Sequence, residues 1–403
     1  MKLSYSTHGL PGSLFEIIDE LDQAGYAGVE LAFQEGQFDL RDIPLADIAH
    51  CPLILQLQAY FKTKNIKPAA INTATLPLEP GRLHEPSVIS LDERGRQIRI
   101  HLIQKGIAAA KALGAPIVTF GSGFIRAEHV PYPDTDCEAL LLASIRTCLT
   151  MIADEDEVTL VIEPEPGMLV ETLAEGARIV ECINSRKFGL HLDVCHAFCS
   201  DGAETYVQAI RDVAHLIKYV HLADTQDGYN LKIIDAPSDR ELELDFNFAS
   251  YLVHHPDTGE FSFLDGQSVI DFSRETNIPP VTPDQARLLA PEIKTYLLSM
   301  PRIAYETMDR AVPILQFLRT TINLTTGRPF VEKRLANTLT GKVHFHQEPG
   351  LGEIDFAAIF QCLEEASFQG YASLELYHDG EPDRWRQVMQ RSQVYLDSKA
   401  GIY

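Results

Sequence analysis

The run VTLVIEP, residues 158–164, is a β-branched apolar strand that stops on a glutamate and a proline. Thirty residues later FGLHLDV (188–194) stops on Asp193, and twenty-eight beyond that IKYVHLAD (217–224) carries His221. Short apolar strands repeating at this interval, with amphipathic stretches between them, are the pattern of βα units in a parallel sheet. Working outward, KLSYST (2–7), GVELAF (28–33), PAAINT (68–73), PIVTFG (116–121) and YASLELY (371–377) read the same way and bring the strands to eight.

The intervening helices carry start and stop signals. SLFEIIDELDQAG (13–25) opens on a serine cap, repeats apolar residues at helical spacing and ends at a glycine, and RIHLIQKGIAAAKALG (99–114) ends in the same way. Eight strands alternating with helices predict an α/β fold closed into a (β/α)8 TIM barrel. The alternative, a doubly wound open sheet, lacks its glycine-rich phosphate turn here.

One interval breaks the rhythm: 154 residues separate His221 from Glu375. The expected organisation is therefore a barrel from residues 1–227 and 341–403, with 228–340 inserted after the seventh strand. The insertion begins polar, reads as a hairpin around Asp257 to Gly259, and reads as helical over 282–322. A loop in that position lies on the catalytic face of a barrel. It is expected to cap the mouth, with a homo-oligomer interface as the alternative for its apolar content.

Burying an unpaired carboxylate is costly, so Glu163 at the end of a buried strand implies either a cation or an open strand end. The next strands decide between them. VIEP, HLDVCH, YVHLAD and SLELY place Glu163, Asp193 with His196, His221 and Glu375 at successive strand ends, which surround one mouth in a barrel. Alone, each has a plain reading, as a solvated glutamate or a hydrogen-bonded core histidine. Together, two Glu, one Asp and one His form a ligand set suited to one divalent cation such as Mn, Co, Mg or Zn. His196, three residues past Asp193, shares its side of the site or else caps the following loop. Glu165 would face the mouth in a regular strand, which Pro164 and Pro166 argue against.

The order EP, LDxxH, VHLxD, GxGxIDF and a Glu-terminated last strand resembles the xylose-isomerase-like barrel superfamily of sugar-phosphate isomerases and epimerases, which also contains apurinic endonucleases. The matching stretches are VIEP, HLDVCH, YVHLAD, PGLGEIDF (349–356) and SLELY, and ERGRQIRIHLIQKGIAAAKALGA (93–115) is similar to the helix entering the family's fourth strand. The resemblance implies Glu163, Asp193, His221 and Glu375 as metal ligands, Glu163 and Glu375 as the catalytic acid/base pair, and His196 as a contact to substrate hydroxyls. It also implies an isomerase or epimerase of a sugar or sugar-like polyol, acting by proton abstraction next to a carbonyl through a metal-stabilised enediolate.

The GxGxIDF segment follows the insertion here, preceded by KVHFHQE. His346 is then a candidate substrate contact, against a plain loop histidine. His8 and Glu30 face the mouth by strand position, and Asn72 at the third strand end is a candidate hydrogen-bond partner of substrate. Cys195 and Cys199 flank His196 but read as core or loop thiols beside a complete ligand set. The basic run RPFVEKR (328–334) reads as a solvated helix face, with contact to an anionic substrate group as the alternative.

A metal-dependent lyase or dehydratase would use the same ligands and stays open, as does a non-catalytic binding protein on a retained barrel. An apurinic endonuclease would need a metal cluster with histidines at the third and fourth strand ends, and INTAT (71–75) and FGSGF (120–124) have none. The net charge of -23 over 403 residues also opposes a nucleic-acid partner. The 7 cysteines are odd in number and scattered, MKLSYSTHGLPG lacks the apolar core of a signal peptide, and no apolar run approaches the roughly 20 residues that span a bilayer. The expectation is a cytoplasmic protein with a small carbohydrate substrate and no membrane partner.

Overall fold

The computed structural model describes residues 1–79, 84–124, 129, 134–166, 168–225, 346–376 and 384–399, together with paired strand segments between 228 and 339. All eight expected strands form: β1 (Lys2–Ser6), β2 (Gly28–Ala32), β3 (Lys67–Asn72), β4 (Ile117–Gly121), β5 (Thr159–Glu163), β6 (Phe188–Asp193), β7 (Ile217–Leu222) and β8 (Tyr371–Leu374). Each pairs in parallel with its neighbours in chain order, and β1 closes on β8 with Lys2 opposite Tyr371 and Tyr5 opposite Leu374. The result is a closed (β/α)8 barrel.

Helices α1 (Leu14–Ala24), α2 (Pro52–Phe61), α3 (Glu93–Leu113), α4 (Asp134–Leu149), α5 (Leu173–Ile183), α6 (Val194–Ser200), α7 (Tyr206–Val213), α8 (Phe356–Glu365) and α9 (Arg384–Lys399) accompany the strands. The caps explain their bounds. Ser13 precedes α1 and Gly25 follows it with φ 86°, a left-handed conformation that glycine takes without strain. Helix α3 starts at Glu93, because the Asp92 carboxylate accepts from the Gly95 N–H at 2.7 Å and caps it.

Strand residues alternate between two cores. Leu160, Ile162, Leu190, Leu192, Val220 and Leu222 face the helices in the main apolar core. Ala70, Ile117, Val161 and Tyr219, with Tyr371 against them, form a separate cluster inside the barrel. Above that cluster the interior turns polar: Ser6, Glu30, Asn72, Thr119 and His191 are all buried. Barrel interiors are ordinarily filled by branched apolar side chains, so this polar layer marks something it must support. Register shifts at Val29/Glu30 against β3 and at Leu190/His191 against β7 occur just before two of its members. Such bulges re-aim a side chain.

The chain leaves β7 and returns beside it. Asp224 N–H donates to the Gln347 carbonyl at 2.8 Å, and Gln347 N–H donates back to the Asp224 carbonyl at 2.7 Å. The Asp224 carboxylate then accepts from Thr225, Gly350 and Ile354 N–H groups, gathering the PGLGEIDF turn around it. The hairpin expected around 257–259 is present as Leu252–His255 antiparallel to Glu260–Phe263, and a second hairpin pairs Gly228–Asp235 with Arg240–Asn247. In the stretch read as helical, Ile303–Ala304 pairs with Thr338–Leu339 and Ile322–Asn323 with Arg328–Pro329, so those residues are strand. Pro301, just upstream, opposes helix continuation there. The rest of 282–322, His344 and most of RPFVEKR lie outside the described residues.

Candidate metal centre and active site

Glu163 is the last residue of β5, Asp193 the last of β6, His221 lies one from the end of β7, and Glu375 follows β8 directly. Pairing puts Asp193 opposite His221, and His221 opposite Ser373, two residues before Glu375. One ligand atom from each of these four buried residues lies within 4.8 Å of the other three. His221 Nδ1 is 3.4 Å from Glu163 Oε1, 3.7 Å from Asp193 Oδ2 and 3.2 Å from Glu375 Oε2. Ligands held about 2.1 Å from one ion are about 3.0 to 4.2 Å apart, so these spacings fit a common divalent centre.

Satisfaction of the polar atoms points the same way. Glu163 Oε1, Asp193 Oδ2 and His221 Nδ1 are buried without a hydrogen bond. Buried polar atoms without partners are rare and demand an explanation. Here three converge on one point. Asp193 shows how the sequence arranges this: its Oδ1 caps α6 by accepting from His196 N–H at 2.8 Å, which leaves Oδ2 for the centre. That cap also explains why a histidine stands three residues after the aspartate. The donor set of three carboxylates and one imidazole suits Mn, Co, Mg or Zn.

Electrostatics at the centre are those of crowded, desolvated charge. Burial pushes the Glu163 carboxyl up to about 8; His221 opposes the rise, whereas Asp193 and Glu375 add to it. Burial alone would lower His221, yet the Glu30 and Glu375 carboxylates, with Glu163, raise it well above the ordinary histidine value. Burial would raise Glu375, but His221 and then His8 hold it well below the usual carboxylate range. A bound cation would take over the role that the His221 charge plays in this balance.

Around this centre stand the other expected residues. His8, on the loop after β1 and one-third exposed, places Nδ1 3.1 Å from Glu375 Oε1. His196 Nδ1 lies 3.1 Å from the Pro164 carbonyl, and its Nε2 is 3.4 Å from His346 Nε2. Burial lowers His196 to about 4, so the ring is neutral near pH 7. His346, at the returning end of the insertion with φ 46°, turns Nδ1 to the Glu375 carbonyl at 3.0 Å. Asn72 is placed differently. Its Nδ2 donates to Glu30 at 3.1 Å and its Oδ1 accepts from Ala74 N–H, so it serves the layer beneath the centre rather than the mouth. Glu165 is buried in the turn whose N–H bonds to Val170, off the regular strand as its prolines implied. Cys195 and Cys199 are buried core thiols in α6.

Sequence reasoning assigned no role to His191. It is fully buried, with Nδ1 2.7 Å from Thr119 Oγ1 and 3.4 Å from Glu163 Oε2, and burial holds it well below the usual histidine value. The signal was there, since His191 precedes Asp193 by two and so shares its face of the strand.

Fold and site together define a (β/α)8 barrel with a carboxylate–imidazole cluster at its mouth. The chain matches the family model for xylose isomerase-like TIM barrels over residues 18–258, more than half its length, and belongs to that family. No curated protein matches it by sequence. Among solved structures it is similar to a D-tagatose 3-epimerase-like protein (TM-score 0.56, 13% identity, 100% of both chains). It is also similar to the 3-keto-D-glucoside 4-epimerase YcjR from E. coli (TM-score 0.55, 12% identity, 99% of both chains). A third likeness is to the IOLI protein with a bound zinc atom (TM-score 0.51, 16% identity, 100% of both chains). At these identities the likeness is one of fold. Among the described residues no helix is long and apolar enough to cross a membrane.

Proposed function

We propose that this protein is a divalent-metal-dependent isomerase or epimerase of a sugar or sugar-like polyol, working by proton transfer at a carbon next to a carbonyl. The carrying observation is the convergence of three unsatisfied buried ligand atoms, from Glu163, Asp193 and His221, beside Glu375. That one structure sharing the fold is a 3-keto-D-glucoside 4-epimerase and another is D-tagatose 3-epimerase-like agrees with the substrate class. A divalent ion held by Glu163, Asp193, His221 and Glu375 would polarise the substrate carbonyl and stabilise the negative charge that develops on its oxygen.

The chain's own groups do the rest. Glu163 ends β5 and Glu375 follows β8, with β6 and β7 between them, so one takes a proton from carbon and the other returns one from a different side. His8 steadies Glu375 Oε1 from the rim. Neutral His196 offers its Nε2 to a substrate hydroxyl, and His346 Nε2 stands beside it. Both carboxylates are buried, each 6% exposed, which limits water around the reacting carbon.

The test is an NMR screen of the metal-loaded protein in deuterium oxide against ketoses and inositols. Solvent deuterium is expected at the carbon next to the carbonyl of an accepted substrate, and Glu163→Gln and Glu375→Gln should each abolish it. Turnover without label would refute the proton-transfer reading. Label accompanied by loss of a β-hydroxyl would move the assignment to a lyase using the same two carboxylates.

A further inference from the structure

We infer that Glu30, on β2, is the positioning residue that holds His221 ready to bind the cation. This rests on the metal-centre reading above and deepens it. Glu30 is completely buried at the level of the polar layer. Its Oε1 accepts from Ser6 Oγ at 2.7 Å and from Asn72 Nδ2 at 3.1 Å. Its Oε2 accepts from Tyr219 Oη at 2.6 Å and lies 2.6 Å from His221 Nε2. An ionised carboxylate has about four acceptor sites and no donor. All of them are filled here.

That count fixes the proton on His221. A carboxylate already taking three donors can meet Nε2 only as an acceptor, so Nε2 carries the hydrogen and Nδ1 is the atom left for a ligand. Nδ1 is the atom that lies among Glu163, Asp193 and Glu375. The donors come from β1, β3 and β7, so the carboxylate is anchored from three strands and cannot swing without breaking several bonds. The register shift immediately before Glu30 is the local distortion that aims it. A carboxylate behind a ligating imidazole fixes its tautomer and orientation and raises its basicity, and losing such a partner typically costs about 10–100-fold in metal affinity. The pattern also gives the polar barrel interior its purpose: Ser6, Asn72 and Tyr219 are the groups that make a buried charge at Glu30 tolerable.

The experiment uses the full chain. Zinc affinity by chelator competition is compared for the native protein, Glu30→Gln and Glu30→Asp, and the His221 imidazole is observed by 15N NMR in the zinc-loaded native protein. His221 is identified as the resonance lost in His221→Gln. The native protein should bind one zinc with a protonated, slowly exchanging Nε2–H on His221. Glu30→Gln should bind zinc about 10–100-fold more weakly and exchange that hydrogen faster. Glu30→Asp, which keeps the charge, should recover part of the loss. Equal affinity and unchanged exchange in Glu30→Gln would overturn the assignment, as would zinc bound through Nε2 in the native protein, a result that needs no variant. A native protein that binds no zinc and none of Mn, Co or Mg would instead bring down the metal centre itself.

Discussion

At the scale of single residues, Asp193 divides its two oxygens between two tasks, and the division can be tested. Oδ1 caps α6 and Oδ2 faces the centre. Asp193→Asn keeps an acceptor for the cap but removes the charge and a ligand atom, so it should melt near the native temperature and lose stoichiometric metal. Asp193→Ala should lose metal and, in addition, about 1 kcal/mol of stability from the missing cap. Full metal content in Asp193→Asn would separate Asp193 from the centre. The proton balance gives a second expectation. With Glu163 raised to about 8 and His221 raised well above its ordinary value, both carry a proton near pH 7 that a cation must displace. Metal loading should therefore release protons, and affinity should weaken as pH falls from 8 towards 6. Calorimetry in buffers of differing ionisation enthalpy measures this directly, and a binding heat independent of buffer would contradict it.

At the scale of elements, the strands were legible because a parallel sheet buried on both faces reads as short, nearly continuous apolar runs. Their last residues stood out because a charge at the end of such a run needs a reason. What lay mid-strand was harder. Glu30 in GVELAF is a charge inside an apolar strand, but its partners Tyr219 and His221 are 189 and 191 residues away, and only barrel closure brings them into reach. Strand position points Asn72 to the mouth, while the structure turns its amide to Glu30, a direction that depends on register rather than on sequence. The PGLGEIDF turn was legible as a motif, and its role follows from the contacts. A Cβ on Gly352 would meet the Thr225 carbonyl oxygen at 2.3 Å and Asp224 Oδ1 at 2.4 Å. Gly352→Ala must push the turn off Asp224 and should destabilise the protein by about 1–3 kcal/mol in chemical denaturation. Leu351→Ser next door, on a side chain 63% exposed, should change stability by no more than about 0.5 kcal/mol.

At the scale of the whole molecule, the chain is a barrel interrupted once, after β7. The interruption is bounded by a reciprocal pair of backbone hydrogen bonds between Asp224 and Gln347, so its two ends lie side by side. The returning end delivers His346 to within 3.4 Å of His196. Because the ends adjoin at the mouth, we propose that residues 228–340 cap the site and that the barrel is structurally complete without them. A cap there would exclude water from a reactive carbanion and select the substrate. Replacing 228–340 by a short Gly/Ser linker should leave a folded barrel that binds one equivalent of metal, because every proposed ligand lies outside the excised stretch. Its deuterium exchange into accepted substrates should fall sharply or spread to compounds the native protein rejects. If the excised protein keeps the native substrate profile and differs only in sedimenting as a monomer where the native chain does not, the insertion is an interface between copies and the cap is wrong.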